Sequence, residues 1–179
     1  MIMLALLLLV GCNQQRSIVG LPSHKSVERV KIGMPLQKAV TKASVKGIVV
    51  EKAIIPAYEG ERAQVEYRAF DGKKLLYTFN AEPTGKSLDK VFRIVIYDPK
   101  YKSSEGISVG NTVKDLRKSS KLKAADFNQD DGLYVTASSF DGGFLLNFDP
   151  SKDYSGFDYV KPTVASLPNE LTVKAIVLF

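Results

Sequence analysis

The chain has one cysteine, Cys12, one histidine, His24, and no tryptophan in 179 residues. A lone thiol cannot close an internal disulfide, so the fold must be held by its apolar core. His24 lies in a polar segment with no sustained periodicity, where a general base is not held within hydrogen-bond reach of a target. No Ser-His-Asp or Cys-His site can be built on a histidine so placed, and a His-rich zinc site is excluded. Long apolar runs are scarce as well. The one that opens the chain, Met1 to Val10, is far short of the about 20 residues that span a bilayer as a helix. There is no low-complexity tract and no aromatic-basic motif of the kind that reads nucleic acid, so nucleic acid is not expected as a partner. No catalytic residue, metal site or cofactor is expected.

What the first residues do carry is an address. The apolar run ends in Leu9-Val10-Gly11-Cys12, after which Asn13-Gln14-Gln15-Arg16-Ser17 is abruptly polar. The run has the length of a signal-peptide h-region, although no Lys or Arg precedes Leu4. A small residue before the cysteine and an apolar residue three before it form a bacterial lipobox. Cys12 is then the acylated first residue of the mature protein, and several acyl chains anchor where one would be marginal. Asn13 is not the Asp associated with inner-membrane retention, which points to the outer membrane, with the chain facing the periplasm.

Residues 1–12 are thus read as a lipoprotein signal peptide, 13–27 as a tether, and 28–179 as a globular domain. The hydrophobic fraction of 45% and charged fraction of 25% are those of an ordinary folded domain. The net charge of +6 favours anionic headgroups or an acidic polymer.

The globular part reads as the same unit twice, 28–100 and 101–179. Val30-Lys31-Ile32-Gly33-Met34-Pro35-Leu36 matches Ile107-Ser108-Val109-Gly110-Asn111-Thr112-Val113. Each alternates apolar residues into a glycine and then starts a helix, with Pro35 and Thr112 in the same slot. Strands around Asp71-Gly72 and Asp141-Gly142 follow, because Asp-Gly between apolar runs is a strong hairpin signal. Each unit closes with one more strand, Val91–Ile96 and Thr172–Val177. The expected architecture is α+β: two helix-plus-meander units that share an antiparallel sheet, with both helices on one face.

The stretch Arg93-Ile94-Val95-Ile96-Tyr97-Asp98, followed by Gly106-Ile107-Ser108-Val109-Gly110-Asn111-Thr112-Val113-Lys114-Asp115-Leu116, resembles the enterobacterial RpoE-regulated lipoprotein family. The lipobox and the closing strand Leu171 to Phe179 fit that family too. The resemblance implies an outer-membrane lipoprotein linked to envelope homeostasis and supplies no catalytic residues. More loosely, the glycine-then-helix repeat is similar to the small lipoprotein of the barrel-assembly machine and to tandem-repeat β-lactamase inhibitor proteins, which act by protein contact.

Two features stand out as a partner surface. Lys114, Arg117, Lys118 and Lys121, followed by Lys123, form a basic run, the first four at helical spacing on one face. Tyr154, Phe157 and Tyr159 sit in the loop from Pro150 to Pro168, where no strand pattern accounts for them. Charge beside exposed rings suits an envelope protein, lipopolysaccharide or peptidoglycan. Asp126 to Gly132 imitates a calcium loop, but its glycine falls one place late and Ala137 stands where a bidentate Glu is needed. The expected function is a non-enzymatic, membrane-anchored binding or envelope-maintenance protein. The alternative is a module that holds a small molecule or lipid in a pocket between helix and sheet.

Overall fold

In the computed structural model the described residues are 20–21, 24–45, 47–56, 63–81, 89–128, 131–138 and 141–179. The signal peptide and Cys12 lie outside them. Three short strands come first: β1 (Gly20–Leu21), β2 (His24–Val27) and β3 (Val30–Lys31). They form a small antiparallel sheet in the order β1-β2-β3. Strand β2 takes in the last four residues read as tether, and Val27 is fully buried.

Helix α1 (Leu36–Ala43) precedes a meander of β4 (Ile48–Ile55), β5 (Gln64–Asp71), β6 (Lys74–Ala81) and β7 (Val91–Ile96). Helix α2 (Val113–Ser119) precedes a second meander of β8 (Leu122–Asn128), β9 (Gly132–Ala137), β10 (Gly142–Leu146) and β11 (Val173–Leu178). All eight of these strands share one antiparallel sheet in the order β4-β5-β6-β7-β11-β10-β9-β8. The seam is β7 against β11, with Ile96 opposite Ile176, Val95 opposite Val177 and Ile94 opposite Leu178.

The expected α+β class is overturned, because the protein is mostly β. Its helices are 8 and 7 residues long against an eight-stranded sheet, and each half has four meander strands instead of three. A glycine followed by Pro or Thr signals where a helix starts, not how far it runs. Each helix here is stopped within about two turns.

The two helix starts are built alike. Gly33 and Gly110 take left-handed φ of 78° and 91°. Gly33 N–H donates to the Val91 carbonyl at 2.7 Å, and Val91 N–H returns to Met34 at 2.8 Å. Gly110 N–H donates to Val173 at 2.9 Å, and Val173 N–H returns to Asn111 at 2.8 Å. Each turn is thereby clipped to the strand that closes its own half. Only α2 has a side-chain cap: Thr112 accepts from Asp115 N–H while the Asp115 carboxylate accepts from Thr112 N–H, a reciprocal box.

The hairpins differ more than the sequence implies. Asp71 pairs with Lys74, so Gly72 and Lys73 make the turn, and Gly72 has φ 57°. Positive φ at the first central position suits a two-residue loop that follows the strand twist. Gly142 is not its counterpart. It belongs to β10, pairs with Leu178 and has φ 158°, close to extended.

The main core lies on one face of the sheet. Tyr77, Phe79, Ile94, Phe144 and Ile176 from the sheet meet Ala39 and Ala43 of α1, Val113 and Leu116 of α2, and Val27 and Val30 of the small sheet. The opposite face carries a smaller cluster, Val95, Leu145, Ala175 and Val177, with Tyr97, Tyr134 and Phe179 packed on it.

Candidate binding surfaces

The basic run divides once folded. Lys114, Arg117 and Lys118 are exposed on α2, whereas Lys121 lies past the helix end at Ser119. Arg117 is already engaged. Its guanidinium donates to the carbonyls of Leu167 at 2.9 Å and Ala165 at 3.3 Å, so it straps the long loop to the helix. Lys114, Lys118 and Lys121 remain as exposed cations.

The aromatic loop turns inward. Tyr154, Phe157 and Tyr159 are all half-buried around Phe148, with ring centroids 5.0, 5.6 and 5.4 Å from it. Phe127 of β8 closes the cluster, 5.8 Å from Phe148 and 5.2 Å from Tyr159. The Tyr154 hydroxyl accepts from Asp149 N–H at 3.2 Å. Packing against one another covers part of each ring, and the rest of each stays in solvent.

Around the calcium-like segment, Asn128 pairs with Gly132 at a hairpin end, and Asp131 takes the Arg93 guanidinium at 2.8 Å. The Asp126 carboxylate accepts from Phe127 N–H at 2.9 Å. The Asp126 and Asp131 carboxylates therefore have local partners, and Gln129 and Asp130 lie outside the described residues.

Sequence reasoning missed the polar centre of the second sheet face. Cross-strand partners share a face. Register places Glu66 beside Asn80 and Asn80 beside Arg93. Arg93 also lies over the Phe179 ring at 5.8 Å. The Tyr134 ring runs across Gly143 toward Phe179, 6.5 Å away. Among the described residues, Arg93 Nε and the Tyr134 hydroxyl are buried without a hydrogen-bond partner. Strand alternation alone would put Arg93, Val95 and Tyr97 on one side. Only strand order brings Tyr134 to them.

Burial pushes the Tyr134 phenol up to about 12, opposed by the Arg93 charge and helped by Asp131. Burial also raises Tyr97, with Glu66 adding to the rise and a hydrogen bond to Thr78 opposing it. A phenol raised in the folded state costs nothing at neutral pH. It costs stability as pH climbs from about 10 toward 12, where the unfolded chain ionises and the native one resists. Tyr134→Phe is therefore expected to flatten the alkaline loss of stability and leave neutral stability unchanged or slightly higher, since a buried unpaired hydroxyl disappears. Urea midpoints at about pH 8 and about pH 11 check this. An alkaline loss of wild-type size in the variant would assign it to another group.

On the core side, Asp98 is nearly fully buried. Burial works against its charge, but Lys100 N–H at 2.9 Å and Lys74 Nζ at 3.0 Å outweigh it, with the Lys100 charge adding, and its pKa falls below the usual carboxylate value. That carboxylate holds the chain after β7 in place.

No family model and no curated protein matches the chain. In fold it is similar to the crystal structure of the uncharacterized protein yfeY from Escherichia coli. That match has a TM-score of 0.59 and 15% identity, over 86% of this chain and 94% of that one. At such identity the likeness is one of fold.

Proposed function

We propose that the chain is a lipid-anchored, non-enzymatic binding protein of the bacterial envelope, akin to the RpoE-regulated lipoproteins, held to the outer membrane through Cys12 and facing the periplasm. The observation that carries this reading is Leu9-Val10-Gly11-Cys12 ending an apolar run and followed by polar residues. Binding is favoured over catalysis by how three partnered carboxylates are used. Asp98 ties down a loop, Asp115 caps α2 and Asp131 holds Arg93. The alternative, a ligand stored between helix and sheet, meets Leu116, Phe144 and Ile176 in that space.

The net charge of +6 and the exposed Lys114, Lys118 and Lys121 favour an anionic envelope surface. One paired experiment tests both halves of the reading. Cells fed radiolabelled palmitate are expected to label the wild-type chain and not Cys12→Ser. The mature chain is expected to sediment with vesicles of anionic phospholipid less well after Lys118→Glu and Lys121→Glu, with a weaker salt dependence. Label on Cys12→Ser sinks the anchor. Unchanged sedimentation sinks the basic surface.

A further inference from the structure

The two edges of the eight-stranded sheet are β4 and β8, and they are finished differently. An edge strand turns alternate N–H and C=O groups outward and is a template for another strand unless it is guarded. Edge β8 is guarded. Its register with β9 shifts between Leu122 and Ala124, Lys123 and Asp126 are exposed charges, and Phe127 is covered by Phe148 and Tyr159. Among the described residues, edge β4 has none of these devices except one charged pair at its middle. It runs in unbroken register with β5, from Ile48 opposite Asp71 to Ile55 opposite Gln64. Val49 is 55% exposed, Ile54 67% and Ile55 39%.

The side chains of β4 alternate between the faces of the sheet. Val50 stands opposite core residue Ala69, so Val50, Lys52 and Ile54 share the core face, and Val49, Glu51, Ala53 and Ile55 share the other. The core face thus offers the apolar Ile48, Val50 and Ile54, and the other face Val49, Ala53 and Ile55. A single charge lies between them on each face, Lys52 on one and Glu51 on the other.

A second copy of the chain is a poor occupant. Two β4 strands can meet antiparallel only about a two-fold axis normal to the sheet, which pairs residues of the same face. The full overlap of Ile48 with Ile55 pairs opposite faces and is forbidden. The nearest allowed pairings centre on Lys52 or on Glu51. They set lysine opposite lysine or glutamate opposite glutamate, which destabilises a strand pair. The pattern rejects itself and accepts its charge complement.

We propose that β4 is a docking edge for an extended segment of another protein, added antiparallel as the next strand of the sheet. The segment carries apolar residues opposite Val49, Val50, Ile54 and Ile55, a basic residue opposite Glu51 and an acidic residue opposite Lys52. Main-chain hydrogen bonds supply affinity, and the alternating side chains supply selectivity. This names the partner class and its surface, and it rests on the binding reading given above.

The probe is a soluble, fluorescently tagged peptide containing Val-Ile-Thr-Glu-Lys-Val-Ile, compared with one in which its Glu and Lys are exchanged. Fluorescence anisotropy is expected to show saturable binding of the first peptide to the mature chain and about tenfold weaker binding of the second, the sum of two charge pairs reversed. In the double variant Glu51→Lys, Lys52→Glu the preference should reverse. Hydrogen exchange of β4 amides should slow on binding. Ile54→Asp, at an exposed position with melting unchanged, should abolish capture. Indifference to the charge exchange, or full binding by Ile54→Asp, overturns the proposal. So does a wild-type dimer in sedimentation that Ile54→Asp dissolves. If β4 fails while vesicle capture through Lys118 and Lys121 persists, the binding reading stands and only its partner edge is wrong.

Discussion

Gly143→Ala is expected to destabilise the protein by roughly 3 kcal/mol or more, beyond the range of most single substitutions. Gly143 is buried in β10, and a Cβ there would stand 2.2 Å from the Val135 carbonyl oxygen and 2.8 Å from the Tyr134 ring and hydroxyl. The oxygen is backbone, so relief requires β9 to move, and β9 is tied to both β8 and β10. The Tyr134 ring lies across the space that the glycine leaves, and its displacement would also uncover Leu145 and Val177. A fall in melting temperature of about 6–12 °C is the corresponding readout. A fall of less than about 2 °C would show that the strands part at little cost.

Phe148→Ala is expected to cost about 2–3 kcal/mol and to act first on one region. Phe148 contacts the rings of Tyr154, Phe157, Tyr159 and Phe127, so its removal takes the centre out of the cluster that holds the long loop to β8. The Arg117 strap and the buried Leu167 then hold only the far end of the loop. Limited proteolysis should cut the variant between Pro150 and Pro168 under conditions where wild type is intact, before global unfolding. Resistance equal to wild type would mean that the loop is held elsewhere. This outcome also separates a folding role for Tyr154 and Phe157 from a contact role, since a partner surface would leave the free protein's stability untouched.

The interior strands were readable because their side chains obey the period of the sheet. Tyr77-Thr78-Phe79, Ile94-Val95-Ile96 and Phe144-Leu145-Leu146 are dense in β-formers, and all six of the strands β5, β6, β7, β9, β10 and β11 overlap stretches marked as strands. The edges were harder. Ile48-Val49-Val50 and Ile54-Ile55 do not announce one strand, because Glu51 and Lys52 interrupt the apolar run. Leu122–Asn128 passed as a basic tail running into a calcium-like turn, since an edge strand half in water keeps its polar residues.

The Asp-Gly signal marked both hairpins. It could not say that Gly72 would turn while Gly142 would stay in the strand. Tyr154, Phe157 and Tyr159 looked exposed because nothing local covers them. Their cover is Phe148, and it closes only when the loop doubles back. The Arg93 and Tyr134 neighbourhood was invisible for a similar reason, since its members meet only through the seam of β7 and β11.

That seam also bears on when the protein can fold. Strand β11 is the last strand in sequence yet sits at the middle of the sheet, between β7 and β10. As the chain is made, β4 to β7 can form a half-sheet, but its β7 edge has no neighbour until β11 emerges. The second half is equally incomplete, because β10 needs the same strand. Gly110 and Val113, at the start of α2, also hydrogen-bond to Val173 and Leu171 around β11. Loop closure over such sequence distances is slow, so the sheet stays uncommitted until β11 has been synthesised. Under the export proposed above, in which the precursor crosses a membrane as an extended polypeptide, that delay preserves passage. The strand that completes the native sheet arrives too late to trap the chain on the wrong side.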